Sequence, residues 1–219
     1  GGTPRQLTDS DFDHGAPIWS HDNKSLIFAA NLREDAEYDP LNAEIYTIGL
    51  DDGTVKALTT RQGPDVSPQI SPDGKQIAYL GFDDKYLGYQ QNNLYLMNLD
   101  GSNSKQISHN FDRNIDNIQW DSKGKGLYFQ YDDNGKTKLS YITTAGKISD
   151  ITENLGGLSL GRPYNAGTYT VANNGNYAYT LGKTDHPADL ASGSNGKDKR
   201  LTNLNQDLFL HKQLGQVEE

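Results

Sequence analysis

The stretch GGLSLGRPY, residues 156–164, places Gly157, Ser159 and Gly161 in the spacing G-x-S-x-G. In that spacing a strained strand-to-helix turn can present a serine hydroxyl above an oxyanion hole, ready to attack an acyl carbon. Acid and imidazole candidates follow in the order such chemistry uses, Asp185 or Asp207 and His186 or His211. The spacing alone is not enough, because the elbow needs a buried apolar strand before the serine and a helix after it. Upstream, SDITENLGG holds too few apolar residues for a buried strand. Downstream, Arg162-Pro163-Tyr164-Asn165-Ala166-Gly167 does not open a helix that could continue. Ser159 is therefore expected to be a loop residue, and no catalytic residue is assigned in this chain.

Two patterns that imitate metal sites also fail on their details. Asp9, Asp11 and Asp13 match the first ligands of a calcium loop, but the sixth position, which must be Gly, is His14, and the twelfth, which must be Glu, is Ser20. Asp132-Asp133-Asn134-Gly135 reads most simply as a hairpin turn. The five His have no metal-ligand spacing, and the absence of Cys excludes disulfides, thiol catalysis and Cys-ligated zinc or iron–sulfur clusters. No metal and no cofactor is expected. A net charge of −9 with scattered Lys and Arg argues against a nucleic-acid groove or an anionic membrane surface as partner. No run is long and apolar enough to insert into a membrane as a helix.

The elements that carry these residues repeat. Four segments align without gaps: WSHDNKSLIF from Trp19, ISPDGKQIAY from Ile70, WDSKGKGLYF from Trp120 and VANNGNYAYT from Val171, with starts 51, 50 and 51 residues apart. A Leu-Thr-like anchor precedes each, at Leu7-Thr8, Leu58-Thr59, Ile107-Ser108 and Ile151-Thr152, with a fifth at Leu201-Thr202. Each unit predicts four short strands. The first ends at Trp19, Ile70, Trp120 or Val171, and a tight turn such as Ser71-Pro72-Asp73-Gly74 leads into the second. The third alternates apolar and polar residues, as in EIYTI from Glu44, and a Gly turn returns the chain into the fourth. Trp19 and Trp120 occupy equivalent strand ends and are expected in the core.

A four-stranded sheet repeated every fifty residues cannot bury both faces alone, and radial stacking solves this. The fold class is therefore all-β, a β-propeller of four blade-like units of antiparallel strands. The units run over about 9–59, 60–108, 109–152 and 153–202. Residues 1–8 align with the last strand of a preceding unit, so the chain is expected to be a piece of a larger propeller. Alternatively, that strand completes the last unit.

The loop lengths point to one face. From anchor to the end of the next first strand takes 11, 11 and 12 residues in the first three units but 19 between Thr152 and Val171, which puts Ser159 in a lengthened loop. That loop shares a face with the long connections NLREDAEYDPLNA from Asn31, GFDDKYLGYQQN from Gly81 and LGKTDHPAD from Leu181. Extra loop length on a rigid scaffold is where binding concentrates. The face carries Arg33, Glu34, Asp35, Glu37, Tyr38, Tyr86, Tyr89, Arg162 and Tyr164.

The signature SPDGKQIAY, the segment NAEIYTIGLDDG, the stretch GGLSLGRPY and the closing LTNLNQDLFLHKQLGQVEE together resemble the propeller of prolyl oligopeptidase family serine peptidases, within the acylaminoacyl-peptidase and bacterial dipeptidyl-peptidase branch. The blade signature is shared with the Tol-system propeller protein of the Gram-negative periplasm, which supplies the alternative of a non-enzymatic protein-binding scaffold. The resemblance implies that residues 203–219 connect to a C-terminal α/β-hydrolase domain that carries the triad. It further implies that the propeller restricts entry to short peptides, that this chain alone is inactive, and that the setting is a bacterial periplasm or exported. It also implies a use for acidic propeller residues in holding a substrate amino terminus, with Glu34 and Glu37 as candidates and Tyr38 and Arg162 beside them.

Overall fold

The computed structural model describes residues 2–157, 167–183, 186–213 and 215. The chain divides into two compact units, residues 1–120 and 121–219.

The first unit holds two four-stranded antiparallel sheets. Strands β1 (Ile18–Trp19), β2 (Ser25–Ala30), β3 (Glu44–Gly49) and β4 (Val55–Ala57) pair in chain order, as do β5 (Asp65–Ile70), β6 (Gln76–Gly81), β7 (Asn93–Asn98) and β8 (Lys105–Gln106). Strand β9 (Asp116–Trp120) opens the third repeat. The second unit continues with β10 (Gly126–Asp133), β11 (Lys136–Thr143) and β12 (Ile148–Leu155). Strands β13 (Tyr169–Val171), β14 (Tyr177–Lys183), β15 (His186–Ser194) and β16 (Lys197–Arg200) follow, and then a single helical turn, α1 (Gln206–Phe209). Its sheet runs β10-β11-β12-β14-β15-β16, with β13 paired to β14. The first strands of the four repeats end at Trp19, Ile70, Trp120 and Val171, as the repeat alignment requires.

Short side-chain bonds explain why the repeat carries the residues it does. After each first strand the chain turns through a left-handed residue, Asn23, Gly74, Gly124 or Gly175, a conformation that favours Gly and Asn. In the first two turns Ser20 and Ser71 accept the N–H of Ser25 and Gln76 and donate to Asp22 and Asp73, each at 2.7 Å. These hydroxyls hold both carboxyls below their usual range. The Leu-Thr anchor is a clasp on the third strand. Leu58 N–H donates to Ile45 O while Thr59 Oγ1 accepts Ile45 N–H at 2.9 Å. Ile107 and Ser108 do the same to Leu94, and Leu201 and Thr202 to Leu190. A hydroxyl is needed where no further backbone partner reaches the buried N–H.

Alternation along the strands then sets the cores. Ile27, Ile45 and Leu58 of the first sheet pack against Ile77, Tyr79 and Met97 of the second, with Ile18, Ala29, Ile70 and Tyr95 at the margin. Each such aliphatic burial contributes about 1.5–3 kcal/mol. The other face of the first sheet, with Phe28, Ala30 and Ile48, is packed by Leu7, Leu26, Leu32 and Tyr46. In the second unit Leu139 and Leu155 meet Tyr177, Tyr179, Leu181 and Ala191.

Three expectations change. Trp120 is buried, 8 % exposed, and its indole N–H donates to Gln69 O at 3.1 Å, but Trp19 at the equivalent position is 59 % exposed. The stretch LGKTDHPAD is not a long loop, because β14 extends to Lys183 and β15 starts at His186. The third repeat's fourth strand does not stop at Ile151-Thr152 but continues to Leu155, with register irregularities opposite β11. The Asn134-Gly135 turn joins β10 to β11 as a two-residue hairpin with both residues left-handed, as read from the sequence. Ser159 lies outside the described residues.

Candidate functional site

Three connections of the first unit, 31–43, 59–64 and 82–92, are stitched into one platform. Asp65 N–H donates to Ala43 O at 2.7 Å and Asp84 N–H to Gln62 O at 3.0 Å. The Gln62 amide donates to Asp39 Oδ2 at 2.9 Å and to the Tyr86 hydroxyl at 3.3 Å. Gly63, whose N–H donates to Asn42 Oδ1, sits at φ +128° with Phe82 O where a Cβ would stand, so this corner admits only glycine.

Beside the platform lies a cleft of about 840 Å³. The first strands of three successive repeats line it through Ile18 of β1, Val66 to Gln69 of β5 and Asn117 and Ile118 of β9. Asp11, Phe12, Asp13, Glu37 and Pro40 also line it, and no Lys, Arg or His does. Glu37 thus lines the cleft. Glu34 is exposed and is not among the lining residues, and Tyr38 is 89 % exposed on the same loop. Arg33 is engaged by Asp35 in a fork of 2.8 and 2.9 Å. Arg162 and Tyr164 lie outside the described residues. A cleft lined by three carboxylates and no cation, with apolar and uncharged polar residues between them, suits an extended ligand with a positive end.

Under the platform is a buried ionic cluster that the sequence analysis did not single out. Asp65, at 0 % exposure, accepts from Arg61, whose guanidinium lies 4.2 Å over the Tyr95 ring and 3.5 Å from Asp83. Glu44, at 7 % exposure, opens β3 nearby. Burial pushes Glu44 up to about 7, with Asp65 adding to the shift and Thr59 and Arg61 opposing it. Burial likewise raises Asp65 to about 6 against the pull of Arg61. Glu44 Oε2 and Asp65 Oδ2 have no hydrogen-bond partner among the described residues. The available signal was the pair Arg61 and Asp65 four residues apart directly after an anchor, together with a carboxylate at the start of a strand.

Among the described residues no cluster of three or more His, Asp or Glu could hold a metal ion, and no helix is long and apolar enough to cross a membrane.

No protein-family profile matches the chain. It is 31 % identical over 140 residues to dipeptidyl-peptidase 5 of Porphyromonas gingivalis, which covers 62 % of this chain and 20 % of that protein. It is also 31 % identical over 107 residues to the Tol-Pal system protein TolB of Francisella tularensis, 48 % of this chain and 22 % of that one. The chain thus spans about a fifth of the length of these curated relatives. A solved structure of puromycin hydrolase superposes with a TM-score of 0.68 at 18 % identity, over 93 % of this chain and 33 % of that one. These sheets and these similarities agree with the resemblance carried by the blade signature: the chain is a β-propeller similar to the propeller domain of a prolyl oligopeptidase family peptidase.

Proposed function

We propose that the chain is the propeller part of a serine-type peptidase and that it restricts access to a C-terminal α/β-hydrolase domain of the same gene product. The observation that carries this is the cleft of about 840 Å³ along β1, β5 and β9, lined by Asp11, Asp13 and Glu37. A peptide enters as a single strand, whereas a folded domain is sterically refused. Glu37 holds the substrate's free amino terminus by a charge-assisted bond, with Glu34, Tyr38 and Arg162 on the surrounding loops. The similarity to dipeptidyl-peptidase 5 supports a substrate read from its amino end. The setting we propose is a bacterial periplasm or exported space.

Steady-state cleavage of short chromogenic peptides by the full gene product tests this. Glu37→Gln should raise KM for substrates with a free amino end by about tenfold, the effect of losing one hydrogen bond to a charged group. It should leave kcat and N-acylated substrates unchanged. An equal effect on both substrate classes, or none on either, refutes the assignment.

A second reading, a protein-binding scaffold, is favoured by the match to TolB. Coding sequence after Glu219 separates the two: a hydrolase domain with its own G-x-S-x-G supports the peptidase, and a stop codon supports the scaffold.

A further inference from the structure

The strands that line the cleft, β1, β5 and β9, each stand at the edge of a sheet. Such an edge ordinarily offers a row of backbone groups to which an extended ligand can add as one more strand. Strand β5 is built against that mode. Val66 pairs with Leu80 and Gln69 with Ala78, so Ser67 and Pro68 together oppose the single residue Tyr79. This is a β-bulge, with Ser67 left-handed at φ +55°. Pro68 has no N–H to donate, so the edge is interrupted where it borders the cleft.

The next repeat departs from extended backbone at the same place. Asn117 stands three residues before Trp120, as Ser67 stands three before Ile70, and it too is left-handed, at φ +47°. The matching Ala16 and Thr168 of the other two repeats are not left-handed. Ser67 and Asn117 are both exposed and both line the cleft, and their strands are tied where the Trp120 indole N–H donates to Gln69 O at 3.1 Å. The bulge in β5 has a packing use. Gly81 and Ile77 share a face of β6, so their partners Asp65 and Ile70 share a face of β5 although five residues separate them. That use calls only for left-handed backbone, which glycine adopts with less strain than serine or asparagine. Packing thus explains the backbone at 67 and 117 but not the choice of side chain, and what the two side chains have in common is the cleft.

We propose that Ser67 and Asn117 are a pair of positioning residues that read the main chain of an extended peptide in this cleft. A carboxamide both donates and accepts, which complements a peptide group, and a hydroxyl can do either. Asn117 takes one peptide group of the ligand, its amide N–H on the carbonyl and its Oδ1 on the N–H, and Ser67 bonds a neighbouring peptide group. Neither contact depends on a ligand side chain, so the cleft accepts peptides of varied sequence while its carboxylates orient the positive end. The inference rests on the cleft being the peptide's seat, as proposed above, and names the groups that hold the peptide's backbone there.

Ser67→Gly and Asn117→Gly remove the side chains and keep the left-handed backbone, so both variants should melt no lower than wild type. The probe is penta-alanine with a free amino end and a C-terminal fluorophore, its binding to the 219-residue chain followed by anisotropy. Each variant should weaken binding about three- to tenfold, the worth of one neutral hydrogen bond. N-methylation of one internal amide of the probe should cost wild type a similar factor and Asn117→Gly nothing further. Unchanged affinity in both variants overturns the proposal, as does a cost of N-methylation that is equal in wild type and Asn117→Gly, or a probe that does not bind. A lower melting temperature assigns the side chains to packing and also overturns it. Glu37→Gln on the same probe, with and without an N-acetyl cap, separates this pair from the reading of the amino end. Loss confined to Glu37→Gln and the uncapped probe upholds the amino-end reading and overturns the pair, whereas loss confined to the glycine variants upholds the pair and removes the amino-end reading.

Discussion

Glu44→Gln should make the protein more stable at pH 8 and much less so at pH 5. Folding moves this carboxyl from its ordinary 4.5 up to about 7, chiefly because β3 carries it into a buried position beside Asp65. A carboxyl whose folded value is raised contributes stability that is complete below the unfolded value and is lost as pH climbs through the folded one. With 4.5 and about 7 as the limits, the ionised form costs on the order of 3 kcal/mol at high pH. Between pH 5 and pH 8 the linkage relation puts the loss at about 2–3 kcal/mol. Glutamine keeps an acceptor for the Thr59 hydroxyl and carries no charge to bury. Urea denaturation of both proteins at the two pH values measures the difference directly. The carboxyls held low by hydrogen bonds, Asp22, Asp35, Asp52, Asp73 and Asp100, titrate below this window, whereas Asp65, raised to about 6, titrates inside it and is present in both proteins, so the test reads the difference between the two curves. Parallel stability-against-pH curves for wild type and variant would show that Glu44 is not buried as an uncompensated charge, and the reasoning would fail.

Two further outcomes are expected. Arg61→Met leaves Asp65 buried without its cation and should cost about 3–5 kcal/mol at pH 8, while Arg61→Met with Asp65→Asn should recover most of that loss; equal destabilisation in the double variant would sink the pairing. The 219-residue chain should hydrolyse no peptide or ester substrate, and turnover abolished by Ser159→Ala would make that serine a nucleophile after all.

Much of the architecture is legible in residue types because the repeat is built from local devices. The turn residues at Asn23, Gly74, Gly124 and Gly175, and the clasp residues Thr59, Ser108 and Thr202, each act within one repeat, so their spacing alone locates the strands. What depends on the neighbour is not legible. Trp19 and Trp120 read alike, and only the presence of Gln69 beside the second separates them. His186-Pro187-Ala188-Asp189 has none of the apolar alternation that marks a strand, yet pairing with β14 extends β15 across it. Glu44, Arg61 and Asp65 have side chains that ordinarily face water, and it is the crossing of three segments at one corner that buries them. In the candidate site the long loops and Glu37 were visible as loop length and charge. The cleft itself was not, since its walls come from strands in three different repeats.

The clasp has one exception. In the third repeat Thr152 pairs with Leu139 of β11 through the backbone ladder, so its hydroxyl is not used on its own third strand. Its hydroxyl engages Asp198 of β16 and Tyr179 of β14, and Asp198 also takes the Tyr177 hydroxyl. The third and fourth repeats therefore share a hydrogen-bonded knot at the position where the anchor hydroxyls of the first two each close on their own third strand. A stack of repeats ordinarily melts as a chain of nearly independent units. Here β12 also pairs Leu155 with Leu181 of β14, and Leu139 and Leu155 share a core with Tyr177, Tyr179 and Leu181, so the second unit is expected to open as one cooperative block.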